Sequence, residues 1–155
     1  SWLNLYPNLV VLQTLSKAWG LAGARVGLAF ASPEIISVMS RVKFPYNVGK
    51  PSIEIASKAL NSEKLMRQRV NEIVYNRNML ANVLTKISEV EIIYPSKTNF
   101  LLVKFSNPKG IYNLLAQNGI VVRDRSNQPG CKGCLRVTVG TNMEVEKLID
   151  VLKQV

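Results

Sequence analysis

The rhythm of apolar and polar positions changes partway along the chain. Leu9–Leu15 is a largely apolar, β-branched run bounded by Pro7-Asn8 and Ser16, and Arg25–Ala31 is a second such run. Both read as strands buried on two faces, the signature of a parallel sheet covered by helices. Gly20-Leu21-Ala22-Gly23 between them reads as a compact turn. Ser32-Pro33-Glu34 then starts a helix, with serine as cap and proline at the first helical position. Phe44–Gly49 is a loop, and Pro51 opens another short helix.

The longest periodic stretch runs from about Ser62 to Ile87. Met66, Val70, Ile73, Val74, Leu80, Leu84 and Ile87 form its apolar stripe, and lysines and arginines are expected on the other face. A helix of roughly 26 residues is ~39 Å long, enough to pass from one domain into another. Beyond it the texture is different. Val90–Tyr94, Phe100–Phe105, Ile120–Arg123 and Leu135–Val139 read as strands. A helix capped by Asn107-Pro108 ends at Gly119, and Thr141 with Glu144 forms a capping box for a last helix striped by Val145, Leu148, Ile149 and Leu152. These links predict a small α+β domain. The fold class is therefore α/β, with 1–60 expected as the end of a larger α/β domain and 61–155 as the small carboxyl-terminal domain.

Composition changes the picture in two places. Lysine and arginine number 20 against 10 acidic residues, a formal charge of +10. The cations are dispersed, which argues against a nucleic-acid-binding run and against a membrane surface. No aromatic-basic stacking surface is evident, so a basic binding module is the distant alternative. The excess fits better a segment whose acidic counterpart lies elsewhere. The apolar runs are all far shorter than the ~20 residues of a bilayer span, and no basic-then-apolar leader opens the chain. Cys131 and Cys134 stand in a Cys-Lys-Gly-Cys turn in a chain without histidine. A structural zinc wants a tetrahedral ligand set, and a thioredoxin-type site wants a helix where a strand follows. Two reduced thiols flanking a tight loop, as in a cytoplasmic protein, is the simpler expectation.

Candidate chemistry is concentrated in Thr14–Gly27. Lys17 lies just past the first strand, Ser16 and Thr14 precede it, and Arg25 follows after the glycine turn. Hydroxyls and a guanidinium suit a phosphate, and a lysine beside another cation at the mouth of an apolar strand should have a lowered pKa and act as an amine nucleophile. A phosphorylated aldehyde would satisfy all of these groups. A solvated surface lysine beside an ordinary glycine turn is the bland alternative. A P-loop is excluded by the residue order.

Thr14-Leu15-Ser16-Lys17-Ala18-Trp19-Gly20-Leu21-Ala22-Gly23-Ala24-Arg25-Val26-Gly27 resembles the active-site segment of fold-type I pyridoxal-phosphate aminotransferases, and among them the histidinol-phosphate aminotransferase family. The likeness continues through Pro45-Tyr46-Asn47-Val48, Thr98-Asn99-Phe100-Leu101-Leu102, Val122-Arg123-Asp124 and Leu135–Thr141. It implies pyridoxal 5'-phosphate as cofactor and Lys17 as the lysine that holds it and carries the proton. Ser16 and Arg25 would bind the phosphate with Thr14 close by. Arg136 would bind the substrate α-carboxylate, Arg123 would lie near the substrate phosphate, and Asn99 would orient the carboxylate or the domain interface.

The same resemblance implies a type I transferase large domain in 1–60. It also implies aminotransfer between glutamate/2-oxoglutarate and a phosphorylated keto acceptor in histidine biosynthesis, and a homodimer. Aromatic-amino-acid aminotransferases and threonine-phosphate decarboxylases share these motifs and are the near alternatives. The family's pyridine-binding aspartate has no counterpart here, since the first acidic residue is Glu34. A fragment of an enzyme about twice this size, itself inactive and a poor cofactor binder, is the expectation.

Overall fold

The computed structural model describes residues 2–154 and divides into two compact units, Ser1–Arg69 and Val70–Val155. In the first unit a short helix α1 (Trp2–Leu5) precedes strand β1 (Val11–Thr14). A 3-10 turn at Ala22–Ala24 leads into β2 (Gly27–Phe30), followed by α2 (Pro33–Val42) and α3 (Lys50–Leu60). Ser32 caps α2 by accepting from the Ile35 amide, as the serine-proline start predicts. Leu15, Val26 and Ala56 are buried together, with Trp19, Leu21, Ala24, Leu28 and Val48 packed around them.

The expectation that Leu9–Leu15 and Arg25–Ala31 are strands of a parallel sheet, each buried on two faces, is corrected by the structure. β1 and β2 pair antiparallel, Val11 with Phe30 through Thr14 with Gly27. The reason is the link. Parallel neighbours need a crossover of about a dozen residues or more, usually a helix, and Ser16–Arg25 supplies only a doubled-back turn. Leu12 and Phe30 are exposed, so the ribbon is covered chiefly at the end nearest the turn, where Leu15 and Val26 lie.

Helix α4 (Glu63–Leu84) is shorter at both ends than the expected Ser62–Ile87. In the second unit it is followed by β3 (Val90–Ile93), β4 (Phe100–Phe105), α5 (Pro108–Gln117), β5 (Arg123–Asp124), β6 (Cys134–Thr138) and α6 (Asn142–Leu152). The four strands form an antiparallel sheet in the order β3-β4-β6-β5. Leu101, Val103 and Phe105 of β4 and Leu135 and Val137 of β6 are buried, as period-two alternation requires. They pack with Leu80 and Leu84 of α4, Ile111 and Leu115 of α5, and Val145, Leu148, Ile149 and Leu152 of α6. Each such side chain contributes roughly 1.5–3 kcal/mol on burial.

The strand expected at Ile120–Arg123 is largely absent: only Arg123 and Asp124 pair with β6, opposite Arg136 and Leu135. The residues before them diverge from β6, leaving a groove of about 440 Å³ lined by Ile120, Val122, Val137 and Leu148 among others. Arginines were expected only on the solvent side of α4, yet Arg77 is buried, as is Asn76. No helix among the described residues is long and apolar enough to cross a membrane.

Two outcomes test this core. Leu135→Ala should lower unfolding free energy by about 2–5 kcal/mol in urea titrations. The α6 capping box is present, with the Thr141 amide donating to Glu144 Oε2 at 2.8 Å. The Thr141 backbone bond, then its hydroxyl, holds the Glu144 carboxyl below its ordinary value. A depressed folded-state pKa means the contribution is present above the unfolded value of about 4.3 and lost as pH falls through the folded value. The urea midpoints of wild type and Glu144→Gln should therefore differ at about pH 6 and converge toward about pH 3.

Candidate functional site

Two groups of cations are the candidates for the site chemistry, one in each unit. In the first unit the backbone of the lysine loop is closed by main-chain bonds. The Leu15 amide donates to the Val26 carbonyl at 3.2 Å, the Leu21 amide to the Leu15 carbonyl at 3.0 Å, and the Gly20 amide to the Lys17 carbonyl at 2.9 Å. Buried Leu15 is thus fixed from both sides, and the chain turns back within a few residues. Gly20 takes φ +67, a left-handed conformation that glycine adopts without strain. Continuing the β1/β2 register past Thr14 and Gly27 sets Leu15 opposite Val26 and Ser16 opposite Arg25. Lys17 follows at once.

Arg25 is the one non-glycine residue with positive φ among the described residues, at φ 56 and ψ 38. For such a residue the left-handed conformation costs roughly 1–2 kcal/mol. Its Nη1 donates to the Ala22 carbonyl at 3.0 Å, which holds the guanidinium back against its own turn. Thr14 Oγ1 accepts from the Ser16 amide at 3.1 Å, forming a hydroxyl turn next to Lys17. Ser16 is half-buried, whereas Thr14, Lys17 and Arg25 are exposed. The Lys17 amine is therefore not held in an apolar recess of this unit, contrary to what the neighbouring strand suggested. A primary amine, two hydroxyls and a guanidinium at one ribbon end suit a phosphorylated aldehyde, and pyridoxal 5'-phosphate fits this donor set.

The second unit carries Arg136, Arg123 and Asn99. Arg136 lies on β6 with its side chain on the face opposite Leu135 and Val137. Its guanidinium carbon is 5.1 Å from the centre of the Phe100 ring, within reach of a cation–π contact. Arg123 is directly across from it on β5. Like charges placed so are mutually repulsive. Burial lowers the Arg136 pKa first, then the charges of Arg123 and Arg125. Arg136 Nε is buried without a hydrogen-bond partner. A cluster with this much unopposed positive charge can receive an anion, and a planar guanidinium matches a carboxylate bidentately. Asn99 is half-buried, and its carbonyl accepts from the Val139 amide at 2.9 Å, tying the entry of β4 to the end of β6.

Three residues escaped the sequence reading. Arg125 joins the cluster. Arg77 Nη1 donates to the Thr98 carbonyl at 2.9 Å, and Asn76 Nδ2 donates to the Gly140 carbonyl at 3.1 Å. These two α4 side chains hold the ends of the strands that present Asn99 and Arg136. The signal for Arg77 was present: Ile73, Arg77, Leu80 and Leu84 follow one another at helical spacing, so an arginine stands within the apolar stripe.

Because Arg136 is crowded by like charges, Arg136→Met should leave the ligand-free chain equally or more stable in urea. A loss larger than about 1 kcal/mol, the centre of ordinary point mutants, would contradict that account.

The family model for aminotransferase class I and II matches residues 1–152. Histidinol-phosphate aminotransferase of Parabacteroides distasonis is 50% identical over 151 residues, covering 97% of this chain and 44% of its own length. The chain thus spans somewhat under half of that relative. The crystal structure of histidinol-phosphate aminotransferase from Clostridium acetobutylicum superposes with a TM-score of 0.85 at 21% identity, covering 98% of this chain and 47% of that one. The Sinorhizobium meliloti histidinol-phosphate aminotransferase, solved in complex with pyridoxal-5'-phosphate, gives 0.78 at 23%, covering 96% and 42%. At such identities the structures speak for the fold. With the family model matching nearly its full length, this chain belongs to the class I and II aminotransferases.

Proposed function

We propose that the chain is the lysine-bearing part of a pyridoxal-phosphate-dependent histidinol-phosphate:2-oxoglutarate aminotransferase of histidine biosynthesis. The observation that carries this reading is the placement of Lys17, Ser16 and Arg25 at one end of the β1/β2 ribbon. The named relative at 50% identity supports the choice of acceptor. In this reading residues 1–60 end the cofactor-binding large domain and 61–155 form the small domain. The parent enzyme works as a cytoplasmic homodimer on small-molecule amino-acid and phosphorylated keto substrates.

When bound, pyridoxal phosphate supplies an aldehyde carbon and an electron-withdrawing ring. Lys17 would hold that aldehyde through its Nζ and would take and return the proton at the substrate α-carbon. Ser16 and Arg25 hold the cofactor phosphate, with the Thr14 hydroxyl fixing the turn beside them. Arg136 fixes the α-carboxylate, and Phe100 behind it keeps the guanidinium plane in place. Arg123 attracts the phosphate end of the acceptor, and Asn99 orients the carboxylate.

In the parent enzyme Lys17→Ala should lower kcat by about 10²–10⁴-fold, the range for a positioned acid–base group. Borohydride reduction followed by peptide mapping should leave the wild-type cofactor adduct on Lys17. An adduct elsewhere ends the reading. Complementation of a histidine auxotroph by the parent enzyme, lost with Lys17→Ala, tests the acceptor. Arg136→Lys should raise KM for the amino donor about 10–100-fold, as for a charge-assisted contact of roughly 1.5–3 kcal/mol.

A further inference from the structure

We propose that Cys131 and Cys134 are a thiol-modification site: a pair that the fold preorganises to close into an intramolecular disulfide on reaction with a small-molecule disulfide such as oxidised glutathione. Both thiols are free. The geometry begins with the backbone. The Cys134 amide donates to the Cys131 carbonyl at 2.9 Å, and Gly133 takes φ +77. A four-residue turn with this bond and glycine at its third position is of type II, with end Cα atoms less than about 7 Å apart. Disulfides span Cα separations of roughly 4.4–6.8 Å. Gly133 is required twice over, because a side chain there would also crowd the Phe105 carbonyl at 3.2 Å.

Side-chain placement points the same way. Cys134 Sγ is 3.9 Å from the Lys132 carbonyl, turned back into the turn rather than into the apolar core on the other side of β6. Cys134 is fully buried, whereas Cys131 is half-exposed and can meet a solute first. Burial, with Cys131 next, pushes the Cys134 thiol above its ordinary value, against a hydrogen bond from Tyr94 and the charge of Lys104. The chemistry then has a direction. The Cys131 thiolate attacks the small disulfide, forming a mixed disulfide and expelling one small thiolate. The Cys134 thiolate attacks the Cys131 sulfur and expels the second. Two protein thiols are oxidised and one small disulfide is reduced to two thiols.

The pair lies against the anion-receiving face. Cys134 is two residues before Arg136 on β6, and its carbonyl accepts from the Arg125 amide at 2.9 Å. Closure would fasten the turn that leads into that strand. The inference does not depend on which substrate the arginines hold.

The full 155-residue chain would be equilibrated in glutathione buffers of graded ratio, quenched by alkylation and weighed intact. We expect a monomer lighter by two hydrogens. We also expect an equilibrium constant at least about tenfold larger in native buffer than in urea, since only the folded turn confers preorganisation. Cys134→Ala should instead stop as the glutathione adduct at Cys131, and Cys131→Ser should remain unmodified. Persistence of both thiols across the range, oxidation only as intermolecular dimers, or equal constants in native buffer and urea would each overturn the proposal.

Discussion

The second unit depends on the rotational setting of β6. Leu135 and Val137 are buried on one face and continue into Val139, so the opposite face has no choice but to present Arg136. Because side chains alternate with a period of two, a slip of one residue would carry the guanidinium into the core and the aliphatic side chains out of it. Three aliphatic burials at roughly 1.5–3 kcal/mol each outweigh the repulsion between half-buried Arg136 and exposed Arg123. The packing therefore sets the direction of Arg136, and Arg123 is set in turn by its pairing across the ladder. Asn76 and Arg77 then hold the strand ends from α4.

The first unit reaches a comparable result by different means. Its core is small, and the lysine loop is shaped chiefly by main-chain bonds at Leu15, Leu21 and Gly20. Arg25 accepts a left-handed backbone that most residues avoid, and the bond from its guanidinium to Ala22 offsets part of that strain. An anion arriving at this end must compete with that internal bond. In both units it is backbone register that brings the cations together.

Much of this was legible in the residues themselves. The Asn107-Pro108 start, the Thr141/Glu144 box and the apolar alternation of Phe100–Phe105 are local signals, and each formed where its chemistry predicts. The Lys17 loop was legible through its resemblance to a family more than through spacing, since a lysine after a strand has many uses. The antiparallel pairing of β1 and β2 follows from the short link between them, which apolar content alone does not reveal. The absence of Ile120–Val122 from the ladder with β6 has no local cause in sequence. Arg77 is buried because its place in the apolar stripe outweighs the usual preference of a charged side chain for solvent.

The apolar surface of the first unit has a practical consequence for the material in solution. Trp2, Tyr6, Leu12, Phe30, Phe44 and Tyr46 are all exposed, while the molecule carries a formal charge of +10. Mutual repulsion keeps such particles apart only while it reaches beyond the contact distance, and that reach shrinks to about 10 Å at 0.1 M ionic strength. The colloidal behaviour is thus inverted relative to a protein kept soluble by salt. Dilute electrolyte therefore favours dispersion of the chain, and concentrated electrolyte removes the barrier between its exposed aromatic side chains.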